Sequence, residues 1–147
     1  MNDRKGFTIF EAVIVICIIA TVVAIAIPPF RKMGINGDLK AAAKDMISDF
    51  SYMRVRAISE NQNYSIAFDP VNNNYTVPGV ANPKTPAYFA SDIMISGTSF
   101  GSILTFQTRG TTSPPGDKTL TLINGLGSTA TITIGTVGRI YVSYAFN

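Results

Sequence analysis

An apolar run over residues 7–30 is the feature that most constrains this chain. The run reads FTIFEAVIVICIIATVVAIAIPPF and contains a single charged residue, Glu11. A bilayer core about 30 Å thick is spanned by roughly 20 helical residues, so the run is long enough for a transmembrane helix. A carboxylate near the centre of such a helix costs about 2.5–3.5 kcal/mol on insertion. The sequence therefore predicts a membrane helix whose carboxylate has a partner.

A short polar leader, residues 1–6, precedes the run and ends in Gly6. Cleavage after Gly6 would give Phe7 a free α-ammonium group, and residues four apart on a helix share a face, so Phe7 and Glu11 could pair. In a staggered bundle each Glu11 could instead meet the Phe7 ammonium of a neighbour. Two such charges about 4 Å apart attract by roughly 4 kcal/mol at a dielectric near 20, before desolvation. We expect such a pair mainly to set the register between helices.

The sequence KGFTI at residues 5–9, followed by Glu11 and Pro28, resembles the class III signal peptide and first helix of type IV pilins and type II secretion pseudopilins. The resemblance implies that a prepilin peptidase cleaves after Gly6 and N-methylates Phe7. It also implies that Glu11 acts in filament assembly. Pro28 removes a backbone hydrogen bond and is expected to kink the helix.

Two simpler interpretations compete with this one. A secretory signal peptide would also have a basic start, and the sequence Ala-Ile-Ala at residues 24–26 could serve as its cleavage site. A plain membrane anchor would be held in the cytoplasm by Arg4 and Lys5. Neither alternative gives a reason for Glu11.

Composition leaves room for one small domain and argues against an enzyme. Only about ninety residues follow the predicted helix, which suits a single domain. The chain has no histidine and one cysteine, Cys17, so the usual zinc ligands and the commonest general base are missing and no internal disulfide can form. Cys17 is interpreted as a buried apolar residue. The formal charge of +3 is too small to indicate a nucleic-acid partner by itself. We expect no catalytic activity and no cofactor.

Residues 31–60 are predicted to form an amphipathic helix that continues into the domain. Gly34 and Gly37 are expected to loosen it, and Asp38 is a candidate N-cap for the part that follows. Apolar residues then recur at steps of three and four, which predicts one buried face. That stripe comprises Leu39, Ala43, Met46, Phe50, Met53 and Ala57. The charged residues between them are expected to be solvated, and the pair Asp45 and Asp49 is not expected to be catalytic.

From residue 61 onwards the pattern is that of β-strands. Short runs with a period of two, separated by turn sequences, predict an antiparallel sheet. The predicted strands cover residues 64–68, 75–77, 93–95, 103–106, 119–123, 131–134 and 139–144. Turns are expected at residues 69–74 and 114–117, a hairpin at 124–127, and an exposed connection over 77–88.

Three short sequences in this half sharpen the resemblance. MRVRAI at residues 53–58, FQTRG at 106–110 and GRI at 138–140 resemble the GspH/FimT group of pseudopilins and minor pilins. The resemblance implies an α+β fold of the type IV pilin kind, with a long N-terminal helix packed on a small antiparallel β-sheet domain. Gly110 and Gly138 are interpreted as turn or bulge glycines.

The resemblance implies a non-enzymatic minor subunit of a type IV pilus or type II secretion filament. Its implied partners are other pilins, the prepilin peptidase and an inner-membrane assembly platform. The implied location is the bacterial inner membrane, with a cytoplasmic N terminus, and then a periplasmic or surface filament.

DNA uptake is the alternative function. Some FimT-like minor pilins bind DNA through a Gly-Arg-x-Arg motif, but here Tyr141 replaces the second arginine. Arg139 could contact one phosphate, and Arg109 or Lys118 could help only if the fold brings them alongside. Otherwise Arg139 is expected to pair with a carboxylate or carbonyl at the sheet edge.

Overall fold

The computed structural model describes residues 8–147, apart from the side chain of Pro28. The predicted leader, the cleavage site at Gly6 and the methylated Phe7 lie outside the described residues. The chain divides into two compact units, the first ending at Gly34 and the second covering Ile35–Asn147. The division falls slightly after residue 30, where the sequence placed the end of the membrane helix.

One helix, α1, runs from Ile9 to Ser59. It stays α-helical through Pro28, Gly34 and Gly37, so the loosening expected at the two glycines does not break it. Asp38 lies inside the helix, and the prediction that it caps a helix start was wrong. The kink at Pro28 stays a prediction. Within residues 8–147, α1 is the one helix long and apolar enough to cross a membrane.

In the second unit, α1 buries the predicted face. All six stripe residues, from Leu39 to Ala57, are at most 1% exposed, so this prediction is confirmed. They share one apolar core with side chains from both sheets of the unit. Phe50 illustrates the packing, because its ring meets the ring of Phe68 edge-on at 6.0 Å.

Within Ile35–Asn147, eight strands form two four-stranded antiparallel sheets rather than the single sheet that was expected. The first sheet has the order β2-β1-β4-β5 and the second the order β3-β6-β7-β8. The strands are β1 (Tyr64–Asp69), β2 (Asn74–Thr76), β3 (Met94–Thr98), β4 (Ile103–Phe106), β5 (Thr112–Ser113), β6 (Lys118–Ile123), β7 (Thr129–Ile134) and β8 (Ile140–Ala145).

Every predicted strand is present, with bounds that differ by a few residues. The sequence missed β5, which has two residues, and the 3-10 turn Pro86–Tyr88 in the connection after β2. The predicted hairpin at residues 124–127 joins β6 to β7. β7 and β8 form a second hairpin, closed by bonds from Gly138 N to Gly135 O and from Gly135 N to Arg139 O, both 2.8 Å. These turns fix the register of the second sheet.

Candidate functional site

The start of α1 is built around Glu11 and Thr8. The Glu11 carboxylate accepts hydrogen bonds from the Thr8 backbone N–H at 2.9 Å and the Thr8 hydroxyl at 2.8 Å. In return, Thr8 Oγ1 accepts from the Glu11 backbone N–H at 3.2 Å. This reciprocal pattern is a capping box, in which a Thr and a Glu three residues apart satisfy the first free N–H groups of a helix. The sequence Thr-x-x-Glu at residues 8–11 is the signal for this box, and the interpretation of Glu11 as a charge alone missed it.

The capping box gives the Glu11 carboxylate hydrogen-bond donors but no partner of opposite charge. It gives Glu11 a local role in starting the helix, and the carboxylate remains exposed and ionisable on its surface. The predicted partner, the ammonium of a mature Phe7, lies outside the described residues. Two roles for Glu11 therefore have to be separated by experiment.

The first unit presents an exposed apolar surface along residues 9–34. Ile9, Phe10 and Phe30 are 88%, 73% and 71% exposed. Cys17 was expected to be buried, but within the described residues its side chain is exposed on the helix. The Thr21 hydroxyl, one helical turn later, donates to the Cys17 carbonyl at 2.8 Å, so this hydroxyl has a hydrogen-bond acceptor within the helix. This surface needs a membrane or other helices to cover it.

The three sequences that resemble the GspH/FimT group meet around one side chain, Arg54. Its Nε donates to the Gly110 carbonyl at 3.0 Å and its guanidinium also donates to the Val137 carbonyl at 3.3 Å. Arg54 thus joins α1 to the turn after β4 and to the turn between β7 and β8. It was predicted to be solvated, and the correction is that it is half-buried and binds the domain.

The glycines of these two turns allow the close contact. Gly110 and Gly138 both have positive φ, +74° and +75°, which glycine adopts without the cost that other residues carry. A Cβ at Gly138 would overlap the Gly110 carbonyl oxygen and Arg54 Nε, and would lie 2.9 Å from Arg54 Cδ. Both glycines are therefore structural, as the sequence analysis interpreted them.

This packing places Arg109 and Arg139 on adjacent turns. Arg109 precedes Gly110, Arg139 follows Gly138, and both arginines are exposed. Within the described residues the Arg139 side chain has no hydrogen-bond or ion-pair partner, so the expected pairing at the sheet edge was wrong. Asp117 lies close to the same hairpin, with Oδ1 3.5 Å from the position of a Cβ at Gly135.

Lys118 is not available to a ligand. It is 4% exposed, and its ammonium donates to the Thr112 hydroxyl at 3.4 Å, to the Gly116 carbonyl at 3.1 Å and to the Pro114 carbonyl. Burial lowers the pKa of Lys118. The side chain holds the loop before β6, so its suggested role in phosphate binding was wrong.

Asp45 and Asp49 lie together on α1, but a lysine occupies the space between them. Lys84 Nζ is 2.9 Å from Asp45 Oδ2 and 2.7 Å from Asp49 Oδ2, and the buried Tyr75 hydroxyl donates to Asp49 at 2.7 Å. Burial and the hydrogen bond to Asp49 raise the pKa of Tyr75. This cluster fastens the connection after β2 to the helix. These carboxylates were expected to be solvated, whereas both are half-buried and bonded to the domain.

Among residues 8–147, no group of three or more His, Cys, Asp or Glu could hold a metal ion. The features of interest are therefore surfaces: the apolar helix, the pair of exposed arginines and the edges of the sheets.

Comparison with solved structures identifies the fold. The chain is similar to the type IV minor pilin FimU of Pseudomonas aeruginosa strain PAO1, with a TM-score of 0.59 and 21% identity over 74% of this chain and 90% of that chain. A second crystal form of FimU gives a TM-score of 0.56 and 20% identity, over 71% and 92% of the two chains. The sequence matches no protein-family model and no curated protein. The fold is thus that of a type IV pilin, as predicted.

Proposed function

We propose that this chain is a non-enzymatic minor subunit of a type IV pilus, assembled into the filament through its N-terminal helix. The observation that carries the proposal is the uncovered apolar surface of α1 on a chain with the fold of a minor pilin. A helix with such a surface is stable in a membrane or in a bundle of similar helices. Both similar structures are of a pilin, which agrees with a structural function.

The convergence of three sequences on Arg54 supports placing the chain in the GspH/FimT group. They are far apart in the chain, yet Arg54, Gly110 and Gly138 form one contact. The likeness to FimU favours the pilus over a type II secretion system, which uses the same architecture. Counting the copies of this chain per filament by quantitative mass spectrometry tests the minor-subunit part, because a major subunit would dominate.

The proposed partners and location follow from this function. A prepilin peptidase and an inner-membrane platform process and assemble the chain, and other pilins surround it in the filament. Before assembly it lies in the bacterial inner membrane with its N terminus in the cytoplasm, and afterwards in a periplasmic or surface filament.

Processing has a simple test. Intact mass and N-terminal sequencing of the mature chain should show N-methylated Phe7 as the first residue, and replacing Gly6 with a bulky residue should leave the leader attached. A mature chain that begins at Ile27 would instead mean a secretory signal peptide.

The role of Glu11 in assembly is tested with three variants that separate charge from capping. Glu11→Gln removes the charge but keeps a side chain that can serve in a capping box, whereas Thr8→Ala removes the cap and keeps the charge. Glu11→Ala removes the charge and the carboxylate half of the capping box, and leaves the Thr8 hydroxyl able to accept from the backbone N–H of residue 11. All three should insert into the membrane, because removing a charge eases burial in lipid and Thr8 is neutral.

If charge pairing with Phe7 directs assembly, both Glu11 variants should be lost from filaments and Thr8→Ala retained. The fraction of each variant in sheared filaments, relative to the membrane fraction, measures this. Wild-type incorporation of Glu11→Gln together with loss of Thr8→Ala would assign Glu11 to the helix cap alone.

DNA binding is a second candidate function, favoured by the adjacent turns that carry Arg109 and Arg139. Two cations there could each contact a phosphate, although Asp117 nearby offsets part of the charge. Binding through two phosphate contacts would be weak and independent of sequence, with a salt slope of about −1.8 for duplex DNA. The absence of a second arginine at Tyr141 limits the site to this pair.

A fluorescence polarisation titration of the full chain in detergent with duplex DNA at low salt tests it. Arg139→Ala and Arg109→Ala should each weaken binding and reduce the salt slope. Lys32→Ala, in an exposed position on α1 remote in sequence, serves as the control for general charge. No binding at low salt, or binding unchanged in both variants, excludes this site.

A further inference from the structure

The two sheets end in four edge strands: β2 and β5 in the first sheet, β3 and β8 in the second. An edge strand presents a row of backbone N–H and C=O groups that can pair with a strand of another chain. Folded proteins usually cover such an edge, shorten it, or interrupt it with a bulge, a proline or a charge.

The edges of the first sheet are protected. β2 pairs along its outer side with Lys84, since Tyr75 and Lys84 exchange two backbone hydrogen bonds of 2.8 Å. β5 is two residues long, and its Thr112 N–H donates to the Thr136 carbonyl at 3.0 Å. Neither strand offers a long free edge.

The β3 edge of the second sheet is protected by a side chain and a bulge. Asn73 accepts from the Ile95 N–H at 2.9 Å and donates to the Ile93 carbonyl at 2.8 Å, so its amide takes the place of a neighbouring strand. The register also shifts between Ile95 and Gly97. A partner strand could not pair along β3 without displacing Asn73.

β8 has none of these protections. It is six residues long, IYVSYA, without a charge, a proline or a glycine. Gly135 and Arg139 lie opposite each other, and Gly135 N donates to Arg139 O. In an antiparallel ladder every second residue bonds to the same neighbour, so the N–H and C=O groups of Arg139, Tyr141, Ser143 and Ala145 face β7. The remaining ones point away from the sheet and have no partner within residues 8–147. They belong to Ile140, Val142 and Tyr144.

The side chains of these same three residues lie over the core and are only partly buried. The residues of β7 that lie opposite them are all fully buried: Ile134, Ile132 and Ala130. The apolar layer therefore continues past β7 and stops at β8 without a cover. A further strand beside β8 would bury this row and pair the free backbone groups at the same time.

We propose that the β8 edge is a docking site for an extended segment of a neighbouring pilin subunit, which adds to the second sheet as a fifth strand. The segment would place apolar side chains at alternate positions, over Ile140, Val142 and Tyr144. This inference rests on the proposed function for the presence of a neighbouring subunit. It goes further by naming the edge and the mode of binding.

The charged residues at the two ends of β8 indicate which kind of strand could bind there. The exposed Arg139 precedes β8, and at the other end the Lys40 ammonium lies over the rings of Tyr144 and Phe146, at 6.0 and 4.9 Å from their centroids. Both ends of the edge are thus cationic. A second copy pairing antiparallel would bring Arg139 of one chain to the Lys40 end of the other, which is unfavourable. The occupant is therefore a different subunit, with acidic residues flanking its strand.

Residue-resolved hydrogen exchange tests the proposal with an internal control. In the full chain in detergent micelles, the amides of Tyr141 and Ser143, which face β7, should be protected, and those of Val142 and Tyr144 exposed. In isolated filaments the amides of Val142 and Tyr144 should exchange at least about tenfold more slowly, because each gains a hydrogen bond. Unchanged exchange at these two amides in filaments would overturn the proposal.

A variant pair gives an independent measurement. Val142→Pro removes the outward N–H without breaking a hydrogen bond to β7, and its fixed φ and shorter side chain suit an edge strand, whereas Val142→Ile keeps both the N–H and a β-branched side chain. Val142→Pro should be depleted from filaments at least about tenfold relative to Val142→Ile, as expected when 1.4 kcal/mol of pairing is lost. Circular dichroism of the two purified chains checks that both fold.

The outcomes distinguish failure of the proposed function from failure of the docking site. If the wild-type chain is absent from filaments, the proposed function fails. If the wild-type chain is present and Val142→Pro assembles as well as Val142→Ile, the docking site alone is wrong. A β8-dependent dimer of the purified wild-type chain, abolished by Val142→Pro, would show that a second copy occupies the edge and would also overturn the proposal.

Discussion

Phe10 and Phe50 lie on the same helix and meet opposite environments. Phe10, in the unit that ends at Gly34, is 73% exposed, whereas Phe50, in the unit Ile35–Asn147, is fully buried. The same difference in exposure is found along the two segments of α1. The segment in the first unit is apolar on all sides, whereas the segment in the second unit is apolar on one face. An amphipathic segment finds its partner within the chain, and a uniformly apolar one needs a membrane or other helices.

The comparison also separates stability from assembly. Side chains that pack within Ile35–Asn147 set the free energy of unfolding of that unit. Those of the first segment are exposed and open to contact with a membrane or with other molecules. Substitutions of the same kind in the two segments should therefore give different phenotypes.

The largest expected effect comes from truncating the two phenylalanines. Phe50→Ala should destabilise the folded unit by about 3–5 kcal/mol, because it removes a buried ring and leaves a cavity. Phe10→Ala should leave the unfolding transition of that unit unchanged. Denaturant unfolding of the full chain in micelles, followed by near-UV circular dichroism of the tyrosines, measures both. Equal destabilisation by the two variants would show that Phe10 also packs within the folded unit.

A second expected effect, somewhat smaller, uses glycines of the two units. Gly138→Ala should cost about 2–4 kcal/mol, which combines the left-handed backbone with a clash against Arg54 and the Gly110 carbonyl. Gly34→Ala has open space around its Cβ on a helix, and should instead favour the helix by up to about 1 kcal/mol.

Gly101→Ala is the matched control for Gly138→Ala. Gly101 has φ of +76° and no atom within 4 Å of a Cβ, so its substitution carries the backbone cost alone, about 1–2 kcal/mol. Thermal unfolding of the three variants would rank them. A cost at Gly138 no greater than at Gly101 would show that Arg54 and its two turns do not constrain each other.

Local patterns in the sequence predicted the elements well. The stripe from Leu39 to Ala57 was correct because helical periodicity depends only on spacing along the chain. The hairpin at residues 124–127 was correct because its turn residues are specific. The resemblance of the first thirty residues and of three later sequences indicated the pilin fold that FimU shares.

Long-range polar contacts could not be predicted in the same way. Arg54 and Asp49 look like ordinary surface charges of a helix, and the groups they bind are backbone carbonyls or residues some thirty to eighty positions away. Lys118 lies two residues before Leu120 on β6, so it faces the same buried side of the sheet. The period of two predicted this burial, but the lysine was interpreted as exposed because it is charged. Two sheets instead of one also depend on pairings that short runs do not specify.

The smallest expected effect concerns pH and belongs to the second unit alone. Burial lowers the pKa of Lys84, but the hydrogen bonds to Asp49 and Asp45 and the charges of these carboxylates together raise it above its usual value. Burial and the hydrogen bond to Asp49 raise the pKa of Tyr75. Above about pH 10 the unfolded state releases protons that the folded state keeps on Lys84 and Tyr75. The free energy of unfolding therefore includes the whole contribution of these groups below that pH and decreases as the pH rises further. The slope for one such group is at most about 1.4 kcal/mol per pH unit.

Tyr75→Phe should make this alkaline loss shallower, because it removes one of the two groups that hold an extra proton. Tyr88→Phe, at an exposed tyrosine in the same connection, should leave the loss unchanged. Denaturant unfolding of the full chain at pH 8 and pH 11 measures the difference. An alkaline loss that is identical in Tyr75→Phe and Tyr88→Phe would mean that the cluster of Tyr75, Lys84 and Asp49 does not anchor the connection to the helix. The connection after β2 would then be held by its apolar contacts and backbone hydrogen bonds.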